Sequence, residues 1–131
     1  MGSFSDYWEN EILDHIFGKG SYTPPTIYVG LSTADPADDG AGLSEPSGNG
    51  YARAATAAGD WNSASGGSLD NASTVEFDEA TGTWGTVTHF ALFDAASGGN
   101  LLAHGSLTQS KTVGSGDTVR FVAGDLDVSL D

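Results

Sequence analysis

The stretch GTVTHFALF (residues 85–93) is the most apolar part of the chain, and LLAHGSL (residues 101–107) follows it after a short polar segment. The first run is rich in β-branched and aromatic residues, which favour strands. The segment between the two runs contains Gly98, Gly99 and Asn100, residue types that are typical of a reversing turn. These features predict a β-hairpin at the centre of a mainly β fold.

Alternating patterns on both sides of this hairpin predict further strands. Near the C terminus, Leu126, Val128 and Leu130 alternate with polar residues, as expected of a strand with a buried face and a wet face. About seven strands with polar turns between them predict an antiparallel β-sandwich with jelly-roll or Greek-key connections. The other predicted strands are 26–31, 51–57, 72–77 and 117–122, with polar, glycine-rich loops at 32–50 and 59–71.

The N-terminal segment has helical rather than strand periodicity. Ser3 or Ser5 can cap the start of a helix, and Gly18 is a suitable stop. A helix of about 12 residues is unstable alone and must dock on another surface. We therefore predict an N-terminal adapter helix at residues 1–19 and a single β-sandwich domain at residues 20–131. The predicted partner interface consists of Phe4, Tyr7, Trp8, Ile12 and Ile16 on the helix face and Trp61 in a loop.

Acidic residues dominate the charged residues of the chain. Asp and Glu total 18 against 4 Lys and Arg, which gives a formal net charge of −14. Such a chain repels nucleic-acid phosphates and anionic membranes, so neither is predicted as a partner. Salt screens the repulsion among so many carboxylates, which predicts a saline setting. An acidic surface that simply keeps the protein soluble is the alternative.

No pattern of catalytic residues emerges from the sequence. The chain contains no cysteine, no Gly-x-Ser-x-Gly elbow and no phosphate-binding loop. We therefore predict that the protein is not an enzyme and has no catalytic residues. His89 and His104 fall on the two strands of the predicted hairpin, where we expect them to serve the fold rather than a metal.

We predict no cofactor, although one loop is rich in carboxylates that could bind Ca²⁺. Calcium takes oxygen ligands from flexible loops, but the spacing here does not match an EF-hand. A solvated acidic loop is therefore the favoured interpretation, with a Ca²⁺ site as the alternative. The carboxylates concerned are Asp35, Asp38, Asp39 and Glu45.

The tryptophans outside the helix have different predicted roles. Trp84 directly precedes the most apolar strand, so we predict that it lies in the core. Trp61 lies in a loop, where it could cover the sandwich, contact another subunit or stack on a sugar.

Six segments occur in an order that resembles a known group of proteins. Together they resemble the small virion proteins of tailed phages that are commonly labelled phage tail fiber protein or minor tail protein. The resemblance extends over nearly the whole chain. The segments are LDH (13–15), YTPPTIYVGL (22–31), STADP (32–36), GYAR (50–53), TWGTVTH (83–89) and FDAASGGNLL (93–102).

This resemblance implies a non-enzymatic virion structural protein on the exterior of the capsid or the tail, with other virion proteins as partners. The acidity suggests a virus of a saline, haloarchaeal host. The sequence has no shaft-forming repeat, which favours a capsid decoration or cement (minor capsid) module docking by its helix. A tail fibre or tail-tip protein for host attachment is the alternative, and a carbohydrate-binding module using Trp61 or Tyr51 is another. Viral symmetry predicts a homo-oligomer, a trimer or a pentamer.

Overall fold

The computed structural model of the chain describes residues 2–130. Within these residues the chain forms nine strands, one α-helix and one 3₁₀ turn at Ala58–Asp60. The helix is α1 (Asp6–Ile16). The strands are β1 (Gly2–Phe4), β2 (Tyr28–Ser32), β3 (Ala54–Ala55), β4 (Ser68–Asp70), β5 (Val75–Glu76), β6 (Gly85–Phe93), β7 (Leu101–Val113), β8 (Arg120–Phe121) and β9 (Asp127–Ser129).

The predicted hairpin is the centre of the main sheet. This sheet has seven strands in the order β3-β2-β6-β7-β1-β9-β4, and β5 and β8 form a separate two-stranded sheet. The ring of Phe121 on β8 lies 6.4 Å from that of Phe90 on β6, so the small sheet packs over the large one. The mainly β fold with a single α-helix is confirmed, and the two packed sheets are consistent with the predicted sandwich.

The main sheet contains two strands that the sequence pattern did not predict, β1 at the N terminus and β4, which lies within the predicted loop 59–71. Strand β1 pairs antiparallel with β7 and parallel with β9, so the sheet is not purely antiparallel. Phe4 belongs to this strand and not to the helix face on which it was predicted. A three-residue strand has too little alternation to be recognised from its sequence. Gly2 allows close packing here, because a Cβ at this position would lie 2.7 Å from Cζ of Phe90.

Helix α1 begins and ends at the predicted signals. The hydroxyl of Ser5 accepts a hydrogen bond from the backbone N–H of Trp8 at 3.3 Å and donates one to the carbonyl of Leu101 at 2.5 Å. Gly18 has a φ of +72°, the left-handed conformation in which glycine commonly ends helices. Ser5 therefore caps the start of α1 and also links the helix to β7. No helix within residues 2–130 has the length and apolarity needed to cross a membrane.

The core lies between the two sheets and is rich in aromatic rings. Trp84 is buried as predicted, and its ring contacts those of Tyr51 and Phe77. Leu130 was predicted to point inward, but it is 56% exposed because β9 ends at Ser129. The fully or almost fully buried side chains include Val29, Leu31, Val87, Phe90, Phe93, Leu102, Val113 and Leu126.

Candidate interaction surface

An apolar groove runs between helix α1 and the β9–β4 end of the main sheet. It consists of two hollows of about 290 and 620 Å³. Trp8, Ile12, Ile27 and Trp61 line both hollows, so the two form one continuous surface, called here the apolar groove. The first hollow is completed chiefly by Phe4, Leu69, Leu92, Val128 and Leu130, and the second chiefly by Tyr22, Pro24 and Pro25.

The two tryptophans of the groove use their polar atoms within the chain. The indole N–H of Trp8 donates to the hydroxyl of Tyr22 at 3.0 Å, and that of Trp61 donates to Oγ1 of Thr56 at 2.9 Å. Phe4 further supports Trp8, with 4.5 Å between the ring centroids. The indoles are therefore held in place, and only their apolar surface remains for contacts in the groove.

The apolar surface continues onto the last turn of α1. Ile16 lies one turn after Ile12 and is 69% exposed, while Leu13 and the C-cap residue Phe17 are 55% and 73% exposed. Among the described residues, the only other large apolar side chains that are exposed are Leu130, which lines the groove, and Val122. Three of these five side chains belong to the end of α1, and such a concentration of exposed apolar side chains is typical of a surface that contacts another molecule.

Five of the six predicted interface residues belong to this surface. Phe4, Trp8, Ile12 and Trp61 line the groove, and Ile16 extends it. Tyr7 lies elsewhere, in a separate hollow that includes Asp38 and Asn100. The groove residues outside the helix were not predicted, because Ile27, Leu69 and Leu130 are distant from it in the sequence. Whether these residues contact a partner stays a prediction.

The carboxylates of loop 32–50 are committed to other contacts. Oδ1 of Asp38 lies 2.9 Å from Nε2 of His104, and Oδ1 of Asp35 lies 3.9 Å from the other ring nitrogen. Asp39 accepts a hydrogen bond from the backbone N–H of Ala41. Glu45 lies apart, in an ion pair with Arg53. Across residues 2–130 no three His, Cys, Asp or Glu side chains are arranged to hold a metal ion.

The histidines take part in separate hydrogen bonds. His89 pairs with Ser106 in the sheet, while His104 pairs with Ala91, so the two are not directly opposite each other. Nδ1 of His89 is hydrogen-bonded to the hydroxyl of Thr88 at 2.8 Å. In the helix, Nδ1 of His15 accepts the backbone N–H of Tyr22, which holds the segment after α1 against the helix.

A buried cluster around Arg53 joins the loops at one end of the sandwich. The guanidinium donates from Nε and Nη2 to the two oxygens of Glu45, both at 2.8 Å, and from Nη1 to the carbonyls of Ala95 and Gly98. The hydroxyl of Tyr51 donates to Glu45 at 2.5 Å. Burial, followed by this hydrogen bond, raises the pKa of Tyr51. The sequence alone does not pair Arg53 with Glu45, although GYAR is one of the segments that carry the family resemblance.

An acidic residue of α1, Glu11, lies next to the groove residue Ile12 in the sequence. Within residues 2–130 the arginines are paired elsewhere, Arg53 with Glu45 and Arg120 with Glu76. Glu11 precedes Ile12 on α1, and its charge adds to burial in raising the pKa of both Tyr7 and Tyr22. The helix therefore brings at least one carboxylate, that of Glu11, close to Tyr22 of the groove.

Comparison with known proteins identifies a family for the chain. The family described as "Podophage GP4 fiber I protein gp80" matches residues 3–129, which is almost the entire sequence. No curated protein gives a significant match. The predicted resemblance to tail-fibre proteins of tailed phages is thus supported, whereas the haloarchaeal host and the saline setting stay predictions. The chain belongs to the podophage GP4 fiber I protein gp80 family, a family of phage fibre structural proteins.

Proposed function

We propose that this chain is a structural module of a phage tail fibre or its base, which docks on another virion protein through the apolar groove. A phage fibre protein is associated with the virion and contacts other virion components. The family match favours a structural over an enzymatic role. The observation that carries the docking proposal is the continuous apolar surface formed by the groove and the exposed Ile16.

The physical reason for docking is the cost of leaving this surface in water. Covering an aliphatic side chain such as Ile16 contributes about 1.5–3 kcal/mol if it becomes fully buried. The tryptophans of the groove add large, rigid rings whose N–H groups need no new partner. Such rings commonly supply much of the energy of protein interfaces. The groove is therefore well suited to hold a neighbouring chain.

A capsid decoration or cement role is the second candidate. It is favoured by the absence, within residues 2–130, of a repeat or coiled coil that could form a fibre shaft. Quantitative mass spectrometry of purified particles separates the two candidates. A copy number similar to that of the major capsid protein supports decoration. A copy number that is a small fraction of it supports the tail, and absence from the particle contradicts both.

The docking surface is best tested by surface substitutions and not by deleting the helix. Residues 1–19 include β1, which pairs with both β7 and β9, so their deletion would disrupt the sheet. Ile16→Asn and Leu130→Asn change side chains that are already exposed in the free chain. We expect their combination to reduce incorporation into particles about tenfold or more.

Val122→Asn is the matched control, since Val122 is 50% exposed and does not line the groove. Circular dichroism and thermal melting should show that all variants fold. Normal incorporation of the Ile16→Asn/Leu130→Asn variant would contradict docking through this surface. Carbohydrate binding through Trp61 is a separate prediction. A glycan array tests it, and any sugar binding should be reduced by Trp61→Ala.

A further inference from the structure

We infer that the occupant of the apolar groove is a basic amphipathic segment of another virion protein, with apolar side chains in the groove and Lys or Arg beside the acidic side of α1. This inference rests on the proposed docking function and adds the chemistry of the partner. It is carried by two independent observations, the apolar character of the groove and the net charge of −14 of the chain, whose helix α1 is itself acidic.

The groove itself offers almost only apolar surface to an occupant. Its central side chains, Trp8, Ile12 and Trp61, offer ring and aliphatic surface, and both indole N–H groups are already bonded. A polar or charged group placed there would lose its hydration without gaining a hydrogen bond. The part of the partner inside the groove must therefore be apolar.

The carboxylate of Glu11 provides a negative charge near the groove. Glu11 is followed directly by the groove residue Ile12, and its charge influences Tyr22, which lines the second hollow. The ion pairs described within residues 2–130 do not involve Glu11. A cation of the partner beside this carboxylate would be attracted without displacing a residue of the chain.

A second copy of the chain is not the favoured occupant of the groove. Two chains with a net charge of −14 each repel one another, and both would bring acidic helices to the interface. The same charge attracts a basic segment and accelerates its association. A partner segment with apolar and basic residues matches both the apolar groove and the negative charge of the chain.

The experiment uses two synthetic 15-residue peptides with the same leucine positions, one with lysines and one with glutamates at the remaining sites. Binding to the purified chain is measured by isothermal titration calorimetry at low salt and at 0.5 M NaCl. We expect the lysine peptide to bind, the glutamate peptide to bind much less, and the salt to weaken the binding.

Variants of the chain locate the binding. Ile16→Asn with Leu130→Asn should weaken the lysine peptide about tenfold or more, and Val122→Asn should not. Glu11→Gln should weaken it about twofold to fivefold. Asp78→Asn is the control, because it removes the same charge from an exposed site on another part of the chain. An equal effect of the two charge variants would overturn the role of Glu11.

Other outcomes separate this inference from the proposed docking function. Equal binding of both peptides, or no binding of either, would overturn the basic partner. If incorporation into particles still depended on Ile16 and Leu130, the docking surface would survive that result. Dimerisation of the chain, detected by sedimentation and abolished by Ile16→Asn, would instead make a second copy the occupant. Binding of the lysine peptide that no groove variant weakens would show general attraction to an acidic protein and overturn the inference.

Discussion

The guanidinium carbon of Arg53 lies 3.5 Å from the centroid of the Phe93 ring, so the charged group stacks directly on an aromatic side chain at the end of β6. Glu45 in loop 32–50 neutralises the charge, and Nη1 of Arg53 donates a hydrogen bond to the carbonyl of Ala95 in the turn after β6. Arg53 thereby connects two loops that are far apart in the sequence. Gly30 completes the packing, because a Cβ there would lie 2.7 Å from the Phe93 ring.

Removing the arginine should destabilise the fold strongly. In Arg53→Gln the carboxylate of Glu45 stays largely buried without its cation, and we expect a loss of about 3–5 kcal/mol in the free energy of unfolding. Urea denaturation provides the measurement. The control is Arg120→Gln, whose ion pair with Glu76 is more than half exposed and should cost at most about 1 kcal/mol. Similar losses in the two variants would contradict a stabilising role specific to the buried cluster.

The same cluster should make stability fall in alkaline solution. Burial and the hydrogen bond to Glu45 raise the pKa of Tyr51 in the folded protein. The unfolded chain loses the tyrosine proton above pH about 10, whereas the folded protein retains it. The stabilisation is therefore complete below that pH and is lost as the pH rises further, with a slope of about 1.4 kcal/mol per pH unit for one proton.

Urea denaturation between pH 8 and 11 measures this slope. Tyr51→Phe should flatten it, because phenylalanine has no proton to lose. Tyr22→Phe is the comparison: burial also raises the pKa of Tyr22, but Tyr22 lies nearer the surface, so its effect on the slope should be smaller. An unchanged slope in Tyr51→Phe would show that another group causes the alkaline loss.

The local pattern of the sequence was sufficient to predict the central elements of the fold. The run at 85–93 has the bounds of β6, and Ser5 and Gly18 mark the two ends of α1. Strand β7 extends to Val113, beyond the predicted end at residue 107. Its second half was not predicted because it is polar and shows no apolar pattern. Strand pairing at long range, such as that of β1 with β9, depends on contacts that periodicity does not encode.

The candidate surface could be predicted only in part for the same reason. The helical spacing of Trp8, Ile12 and Ile16 identifies the apolar side of α1. The sheet residues opposite it, such as Leu69 and Val128, come from strands whose neighbours are fixed by the topology. The pairing of Arg53 with Glu45 likewise follows from the three-dimensional arrangement of two loops, since the sequence offers many other carboxylates.

A buried amide provides a further test of the long-range contacts. Asn71 is fully buried, and its Nδ2 lies within hydrogen-bond distance of the carbonyls of Ser73, Phe121 and Val122. Its Oδ1 accepts the backbone N–H of Leu126 at 2.9 Å. The side chain thus holds β8 and the segment before β9 together.

Asn71→Ala should reduce the free energy of unfolding by about 3 kcal/mol, because buried backbone groups lose their partners. The matched change is Asn62→Ala, which removes an exposed hydrogen bond to Asp70 and should cost about 1 kcal/mol or less. Urea denaturation measures both, and hydrogen exchange of the Leu126 amide should accelerate only in Asn71→Ala. Protection of that amide unchanged from the wild type would contradict the role of Asn71.

Salt should stabilise the chain, because the carboxylates greatly outnumber the cations. The net charge of −14 produces repulsion in the folded state, and the Debye length falls from about 10 Å at 0.1 M to 3 Å at 1 M salt. Each kcal/mol regained raises the melting temperature by roughly 5 °C for a domain of this size. We expect the melting temperature to rise with NaCl concentration, most steeply at low salt, where screening changes most.

Charge variants distinguish screening from a general effect of salt on apolar burial. Asp78→Asn combined with Glu79→Gln removes two exposed charges and should raise stability at low salt while reducing the gain on adding NaCl. Ser73→Ala with Thr74→Ala changes exposed, uncharged residues nearby and should leave the salt dependence unchanged. A melting temperature independent of NaCl would contradict the repulsion argument and the predicted saline setting. A gain of equal size in the charge variant would attribute the stabilisation to apolar burial, since added salt also strengthens that contribution.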